Sequence, residues 1–179
     1  LSKYRRLTNR FVVAATLVSS RLPRQEIARL RNLTQRERAP KMSNIGEIAL
    51  NFFDACETGK GWENCQPFCH SDATFSAQAD VLAELTTIEA YANWMQTMFT
   101  PIPNGRYEIK FFATDAERES VAAVAVFHGT HTGPGGPAEP TGKTVAADYV
   151  YAMKFNGDKI CHLTKIWNDN YSLRQLGWT

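Results

Sequence analysis

The sequence of 179 residues lacks a long apolar run and has few cysteines. A membrane-spanning helix needs about 20 consecutive apolar residues, and the longest candidate, Phe11 to Val18, is interrupted by Thr16. We therefore expect no interaction with a membrane. Four cysteines are too few for a disulfide scaffold in a chain of this length, so we expect reduced thiols in the cytoplasm. A hydrophobic content of 44% excludes disorder as the main state.

One cysteine pair lies beside a histidine, in Cys65-Gln-Pro-Phe-Cys69-His70. Three soft or borderline ligands so close together are compatible with zinc, but the rest of a zinc site is not evident in the sequence. The alternative is a helix that buries two small thiols four residues apart, which the preference of free cysteine for protein interiors favours. We expect no metal ion.

The small net charge of +2 conceals an uneven distribution of charge along the chain. Residues 1–41 contain 11 of the 20 Lys and Arg residues and 2 of the 18 acids, which leaves 9 basic and 16 acidic residues for 42–179. A protein that binds nucleic acid normally carries its basic surplus on a folded surface that can register phosphates. Because residues 42–179 would repel phosphate, we expect no nucleic-acid partner.

We interpret residues 1–41 as a basic N-terminal extension. Basic residues followed by a short apolar run are typical of a secretory signal or a transit peptide, but Arg21 stands where a small-residue cleavage site is expected. Three aliphatic residues at helical spacing predict an Arg-rich helix over residues 23–38. Because the composition changes at Met42, a second interpretation places the natural start of translation there. Either way, we expect residues 42–179 to fold without the extension.

Residues 42–179 show helical patterns first and strand patterns afterwards. Apolar spacing predicts a helix from Ser43 to the Gly59-Lys-Gly61 stretch, a short helix over 62–69, and a third over 88–99 capped by Thr87. Strands are predicted over Ala73–Ala77, Tyr107–Ala113, Val121–Thr132, Thr144–Phe155 and Lys159–Asn168. This order favours an α+β fold with a cone-shaped curved antiparallel sheet wrapped around about three N-terminal helices. The mouth of such a cone can hold a small ligand.

A series of short motifs in residues 42–179 resembles the SnoaL-like polyketide cyclases, within the fold shared with nuclear transport factor two. The early motifs are Phe52-Phe53, Trp62, Phe68 and His70-Ser-Asp-Ala-Thr-Phe75. The later ones are Gly129-Thr-His-Thr-Gly133, Pro140-Thr-Gly-Lys-Thr-Val145, Gly157-Asp-Lys-Ile160, Ile166-Trp-Asn-Asp169 and Leu173-Arg-Gln-Leu-Gly177. The resemblance runs from about Ile45 to Gly177.

The resemblance implies ring closure by an intramolecular aldol reaction, without a metal or an organic cofactor. It implies an Asp on the last strand as acid and base, and a hydrophobic cavity that holds the substrate. Such chemistry needs a base close in acidity to the activated proton beside the substrate carbonyl. The resemblance also implies a homodimer through the exposed face of the sheet, a face that a curved sheet packed on helices would otherwise leave uncovered.

Two residues depart from the pattern of the family at the site of this chemistry. Asn168 stands where the resemblance places the acid/base Asp, and Tyr151 stands where many relatives have an Asp in the preceding strand. Asn can hold a carbonyl by hydrogen bonds but cannot take a proton. We therefore expect both residues to bind the substrate and another group to transfer protons.

The candidates for proton transfer are His162, Asp148 and Asp169. Strand alternation puts His162 on the same face as Asn168, and histidine titrates near neutral pH. Asp148 lies inside a predicted strand, where a buried charge must be paired or functional. Each residue also has a structural alternative: a hydrogen-bonded or surface His162, a solvated Asp148, and an Asp169 that caps the turn after the last strand.

Aromatic residues along the predicted strands and the third helix are candidates to contact a small hydrophobic molecule, although the core is their commoner place. The expected binding residues are Asn168, Tyr151, Tyr149, Trp167, Trp94, Tyr91, Phe75 and His131. Two functions stay open. The first is a cofactor-independent enzyme that cyclises, isomerises or dehydrates a small hydrophobic carbonyl compound, and the second is a non-catalytic ligand-binding or assembly domain of the same fold.

Overall fold

A computed structural model describes residues 44–179, so the predicted extension and its helix lie outside the described residues. The described residues belong to one compact unit. In chain order the helices are α1 (Asn44–Glu57), α2 (Trp62–Cys65), α3 (Ile88–Met98) and α4 (Asp169–Leu176), and the strands are β1 (Cys69–Gln78), β2 (Arg106–Asp115), β3 (Ser120–Thr130), β4 (Thr144–Asn156) and β5 (Lys159–Trp167). Single turns of 3-10 helix occupy Gln66–Phe68 and Asp80–Leu82.

Helix α1 presents one apolar face to the sheet, and its predicted end is confirmed. Phe52, Phe53 and Cys56 are fully buried on that face. After the last turn the chain adopts a positive φ of 68° at Gly59, a conformation that side chains other than glycine rarely adopt. A Cβ at Gly59 would also lie 2.3 Å from the Phe99 ring. Glycine is therefore required here both by the turn and by the packing against the end of α3.

The second predicted helix is shorter than expected. Helix α2 ends at Cys65, a 3-10 turn follows, and Cys69 already begins β1. Pro67 has no backbone N–H to donate to the preceding turn, so the helix cannot continue through it. Cys65 and Cys69 are both buried, but they belong to different elements.

The five strands form a single sheet in the order β1-β5-β4-β3-β2. The predicted α+β fold with a curved sheet is confirmed. Strands β2 to β5 pair antiparallel, as predicted, whereas β1 pairs parallel with β5. Alternation along β4 is regular, since every second residue from Val145 to Phe155 is buried. This inner face packs against α1 and α3, and the core lies between the layers.

Alternation along β5 is broken by a bulge. Phe155 pairs with Ile160 and Lys154 pairs with His162, so Cys161 is an extra residue without a partner on β4. A bulge of this kind shifts the side-chain alternation by one residue. As a result Ile160, Leu163 and Lys165 are buried on the inner face.

Within residues 44–179, no helix combines the length and the apolar character needed to cross a membrane.

Across the same range, His, Cys, Asp and Glu side chains form no group of three that could hold a metal ion.

Candidate active site

A cavity of about 430 Å³ lies between α3, the inner face of the sheet and the C-terminal segment. Its wall is apolar almost throughout, and Lys165 is the one charged residue that lines it among residues 44–179. The other lining residues are Val81, Trp94, Met95, Met98, Ile102, Phe127, Pro137, Val145, Ala147, Tyr149, Trp167, Ser172, Leu173, Leu176 and Trp178. A cavity of this size and character accommodates one small or medium hydrophobic molecule.

Lys165 is paired with a carboxylate that comes from the first helix. Glu57 is the last residue of α1 and is fully buried, and the side chain of Lys165 is 7% exposed. Lys165 Nζ lies 3.9 Å from Glu57 Oε1. Two opposite charges in an apolar interior must be paired to be tolerated. Here the lysine side chain lines the cavity, and its counter-ion Glu57 is not part of the wall.

Two buried tyrosines connect the amine to the carboxylate. Lys165 Nζ donates to the Tyr91 hydroxyl at 2.6 Å, and the Tyr91 and Tyr151 hydroxyls lie 2.6 Å apart. The Tyr151 hydroxyl donates its hydrogen to Glu57 Oε1. Because a phenol has one hydrogen to donate, Tyr91 must be the donor to Tyr151. All three hydrogen bonds therefore point from Lys165 to Glu57, and we call these four residues the hydroxyl relay.

The second oxygen of the carboxylate is also satisfied. The Tyr149 hydroxyl donates to Glu57 Oε2 at 2.6 Å. Tyr149 is part of the cavity wall, whereas Glu57 is not. The carboxylate thus accepts one phenol on each oxygen, which holds it in one orientation.

Aromatic rings surround the amine of Lys165. Nζ lies 4.7 Å from the ring centroid of Tyr149 and 5.2 Å from that of Tyr91. The corresponding distances are 5.5 Å for Tyr151 and 5.4 Å for Trp167. Ring faces attract a cation at such distances, so these rings compensate part of the hydration that an ammonium group loses here.

Burial changes the acidity of the groups in the relay. It lowers the pKa of the Lys165 amine, and the Glu57 carboxylate opposes that change with a smaller effect. Burial also raises the pKa of Tyr91, Tyr149 and Tyr151 well above the ordinary value, and the charge of Glu57 adds to the rise. The phenols therefore keep their hydrogens at neutral pH. Tyr91 and Tyr151 can pass a proton along the relay, but the phenols do not hold a negative charge.

The relay can exchange the ionic form of the pair for a neutral one. If each hydrogen moves one step along its bond, Lys165 becomes a neutral amine and Glu57 a neutral carboxylic acid. Tyr91 and Tyr151 each gain one hydrogen and lose one. The site can therefore present either a proton donor or a base to the cavity, with the proton stored out of contact with the ligand.

Several of the aromatic residues expected to bind a ligand lie at this site. Tyr149, Trp94 and Trp167 line the cavity. Tyr91 and Tyr151 lie one layer deeper, in the relay. Phe75 stacks on Tyr91, with ring centroids 4.3 Å apart and 7° between the ring planes, and so supports the relay from β1.

The expectation that His162 faces the cavity is wrong, because it was derived from Asn168, which lies beyond the end of β5. His162 lies on the outer face of the sheet, away from the lining of the cavity. Its Nδ1 is 2.7 Å from Thr74 Oγ1 and its Nε2 is 3.1 Å from Ser76 Oγ. The imidazole is thus engaged by hydroxyl groups of the neighbouring strand β1.

Asp148 and Asn168 are also outside the cavity. Asp148 is exposed on the outer face of β4, between the buried Ala147 and Tyr149. Asn168 follows the end of β5 and caps α4, where its Oδ1 accepts from the backbone N–H of Tyr171 at 3.0 Å. The expectation that Asn168 faces the cavity is wrong because strand alternation does not extend past Trp167.

Asp169 is buried, and its carboxylate connects the start of α4 to the segment that contains Val81. Its Oδ2 accepts from the backbone N–H of Val81 at 3.2 Å, and its Oδ1 accepts from that of Asn170 at 2.8 Å. Since Val81 lines the cavity, Asp169 fixes part of the wall without contributing to it.

His131 holds the C-terminal segment against the cavity. It is fully buried, and its Nδ1 lies 2.9 Å from Trp178 Nε1. An indole N–H can only donate, so Nδ1 accepts and Nε2 carries the hydrogen, which it donates to the Gly135 carbonyl at 3.2 Å. Trp178 lines the cavity, and His131 therefore positions its wall.

The two charged residues of the site, Glu57 and Lys165, were missed by the sequence interpretation. Glu57 continues the apolar face of α1 one turn after Phe53, and Lys165 shares the β5 face of Leu163 and Trp167. A single charged residue at an apolar position of each pattern is the signal that could have identified them.

The family comparison agrees with the fold. Residues 47–176 match the model of the SnoaL-like polyketide cyclase family. No curated protein matches the chain.

Solved structures of the same fold are similar at low sequence identity. A Jannaschia protein proposed to be a SnoaL-like polyketide cyclase is 15% identical with a TM-score of 0.64, covering 79% of this chain and 97% of its own. IdmH from Streptomyces antibioticus, proposed to be a polyketide cyclase, is 18% identical with a TM-score of 0.61. The match covers 74% of this chain and 98% of IdmH. A Catenulispora acidiphila protein with a ketosteroid isomerase-like fold is 20% identical with a TM-score of 0.57. The match covers 74% of this chain and 94% of that protein.

Because the family model covers most of the chain and the helices and sheet form the predicted α+β fold, the chain belongs to the SnoaL-like polyketide cyclase family.

Proposed function

We propose that the protein is a cofactor-independent enzyme that moves a proton on a hydrophobic carbonyl compound bound in the cavity. The observation that carries this proposal is the placement of one buried amine, connected to a buried carboxylate, in a cavity wall that is otherwise apolar. Burying such a pair is costly. Replacement by apolar residues would make a simpler core, so its presence at a ligand-sized cavity supports a chemical role.

Lys165 is the group that would contact the substrate. As a neutral amine it removes a proton from the carbon beside the carbonyl, and as the resulting ammonium it stabilises the charge that develops on the carbonyl oxygen. Burial supports this role, since a lysine with a lowered pKa is better matched to proton transfer near neutral pH.

Glu57 is a positioning residue and a store for the proton. It takes the proton from the Lys165 ammonium through Tyr91 and Tyr151 and so prepares the amine as a base. Return of a proton to a different carbon gives isomerisation, attack of the carbanion on a second carbonyl gives ring closure, and loss of a β-hydroxyl gives dehydration. The membership of the family favours ring closure among these outcomes.

A cavity-filling variant tests where the ligand binds. A thermal-shift screen of aromatic and aliphatic ketones identifies ligands first, by the rise in Tm that binding to the native state produces. We expect Ala147→Leu to fold and to lose most of that rise, because the added carbons project into the cavity. Ala146→Leu, on the exposed face of the same strand, is the matched control and should keep it. Equal shifts in both variants would place the ligand elsewhere.

We also propose a homodimer through the outer face of the sheet. Large apolar side chains are exposed there, with Phe111 on β2 at 55% and Ile166 on β5 at 46%. Sedimentation velocity at micromolar concentration should give the mass of two chains. A single monomer boundary at that concentration would count against the proposal.

We also propose that the protein resides in the cytoplasm, where cysteines stay reduced. All four cysteines are free, and three of them are buried. Burial raises the pKa of Cys69 to about 12, which keeps it a thiol and suits a structural role.

A further inference from the structure

Lys165 differs from the other lysines within residues 44–179 in its surroundings. Its side chain is part of the wall of an apolar cavity, and Nζ lies 4.7 Å from the ring centroid of Tyr149, which also lines it. By contrast, Lys60, Lys110, Lys143 and Lys154 are exposed and Lys159 is half-buried. A primary amine held in a hydrophobic pocket is a nucleophile toward carbonyl carbon as well as a base. The same position that allows proton transfer therefore also allows a covalent bond.

We propose that Lys165 forms an imine with an aldehyde or a ketone bound in the cavity. This inference rests on the proposed function in one respect, namely that the ligand carries a carbonyl group. It adds the chemical class of that group, since an aldehyde or an unhindered ketone forms an imine and an ester or an amide does not.

The relay supplies the proton movements that imine formation requires. Attack needs the amine without its proton, and Tyr91 and Tyr151 offer a path for that proton to Glu57. Loss of water from the addition product needs a proton on the departing oxygen, which the same path can return. Burial lowers the pKa of Lys165 and so increases the uncharged fraction of the amine at neutral pH.

Imine formation needs no reactant beyond the carbonyl compound and the residues of the relay. The nitrogen lone pair forms a C–N bond while the C=O π electrons move to oxygen. One proton then moves from nitrogen to that oxygen and gives a neutral carbinolamine. A second proton, returned from Glu57 through the relay, converts the hydroxyl to water, which leaves as the nitrogen lone pair forms the C=N bond of a protonated imine. When the imine is protonated, the Glu57 carboxylate lies in the place of a counter-ion, and the surrounding rings exclude the water that would reverse the reaction.

Reductive trapping tests the proposal. The full chain is incubated with cinnamaldehyde and sodium cyanoborohydride, and the adduct is located by intact-mass and peptide mass spectrometry. We expect one adduct per chain at Lys165, formed on the order of tenfold faster than at any exposed lysine because of its environment. The mass gain equals that of the aldehyde less one oxygen.

Two variants assign the adduct. Lys165→Met should abolish the fast adduct, and Lys110→Met, which removes an exposed lysine on β2, should leave it unchanged. If Lys165→Met fails to fold, the double variant Glu57→Gln with Lys165→Met replaces it, because that variant leaves no charge unpaired at the site. In Glu57→Gln alone the adduct should stay at Lys165.

The outcomes separate this inference from the proposed function. Adducts distributed over the exposed lysines, with none favoured at Lys165, would overturn the imine. If ketone binding is still lost in Ala147→Leu and turnover is still lost in Lys165→Met, proton transfer without a covalent bond stands. Turnover that survives the loss of Lys165 would overturn both.

Discussion

Lys165→Met is expected to lower the free energy of unfolding by about 3–5 kcal/mol, the range observed when one partner of a buried ion pair is removed. The variant leaves the Glu57 carboxylate fully buried with two phenol donors but without a cation. Methionine has nearly the volume of the lysine stem, so little of the loss should come from packing. Equilibrium unfolding in urea measures the effect.

The matched comparison is the double variant Glu57→Gln with Lys165→Met, which removes both charges. Since well-packed neutral residues can replace a buried pair at little cost, we expect it to recover more than half of the stability that Lys165→Met loses. Losses that simply add across the two substitutions would contradict the pairing of these residues, because coupled sites are non-additive.

Glu57→Gln is expected to lower kcat by about 10²–10⁴-fold toward a carbonyl substrate identified by the ligand screen, the range for a lost acid or base. An amide cannot store the proton that leaves Lys165. Because Glu57 does not line the cavity, KM should change only a few-fold. Steady-state kinetics separates the two constants.

Asp54→Asn is the control for that prediction. Asp54 lies one turn earlier on α1 and makes the same kind of contacts at the surface, to Lys60 Nζ at 2.7 Å and the Tyr107 hydroxyl at 2.8 Å. Its ion pair is half-exposed, and exposed pairs contribute little. We expect unchanged kcat. A Glu57→Gln variant as active as Asp54→Asn would remove the relay from the mechanism.

The fold was largely predictable because its strands follow a regular pattern. The alternation of Val145, Ala147, Tyr149 and Tyr151 is uninterrupted, and the cap at Thr87 is confirmed by its hydrogen bond from the Ala90 N–H. Such signals are local in the chain. Residues a few positions apart suffice to identify them.

The site was less predictable because its faces and partners depend on long-range geometry. The predicted facing of His162 depended on Asn168, which lies beyond the end of β5 and caps α4. Glu57 and Lys165 come from opposite ends of the described chain, and their pairing follows from the docking of α1 on the sheet. In sequence each is a single charged residue on an apolar face, and nothing near it in the chain identifies its partner.

The ionisation of Lys165 is the most direct test of the buried amine at the centre of this site. Protein carrying ¹³C at lysine Cε can be titrated by NMR, with Lys165→Met used to assign the resonance. We expect one lysine to titrate clearly below the usual pKa of about 10.4, to be absent from the variant, and to shift when a ketone ligand is added. A spectrum in which every lysine titrates together near the usual value, with no ligand response at Lys165, would contradict the assignment of this amine as the reactive group.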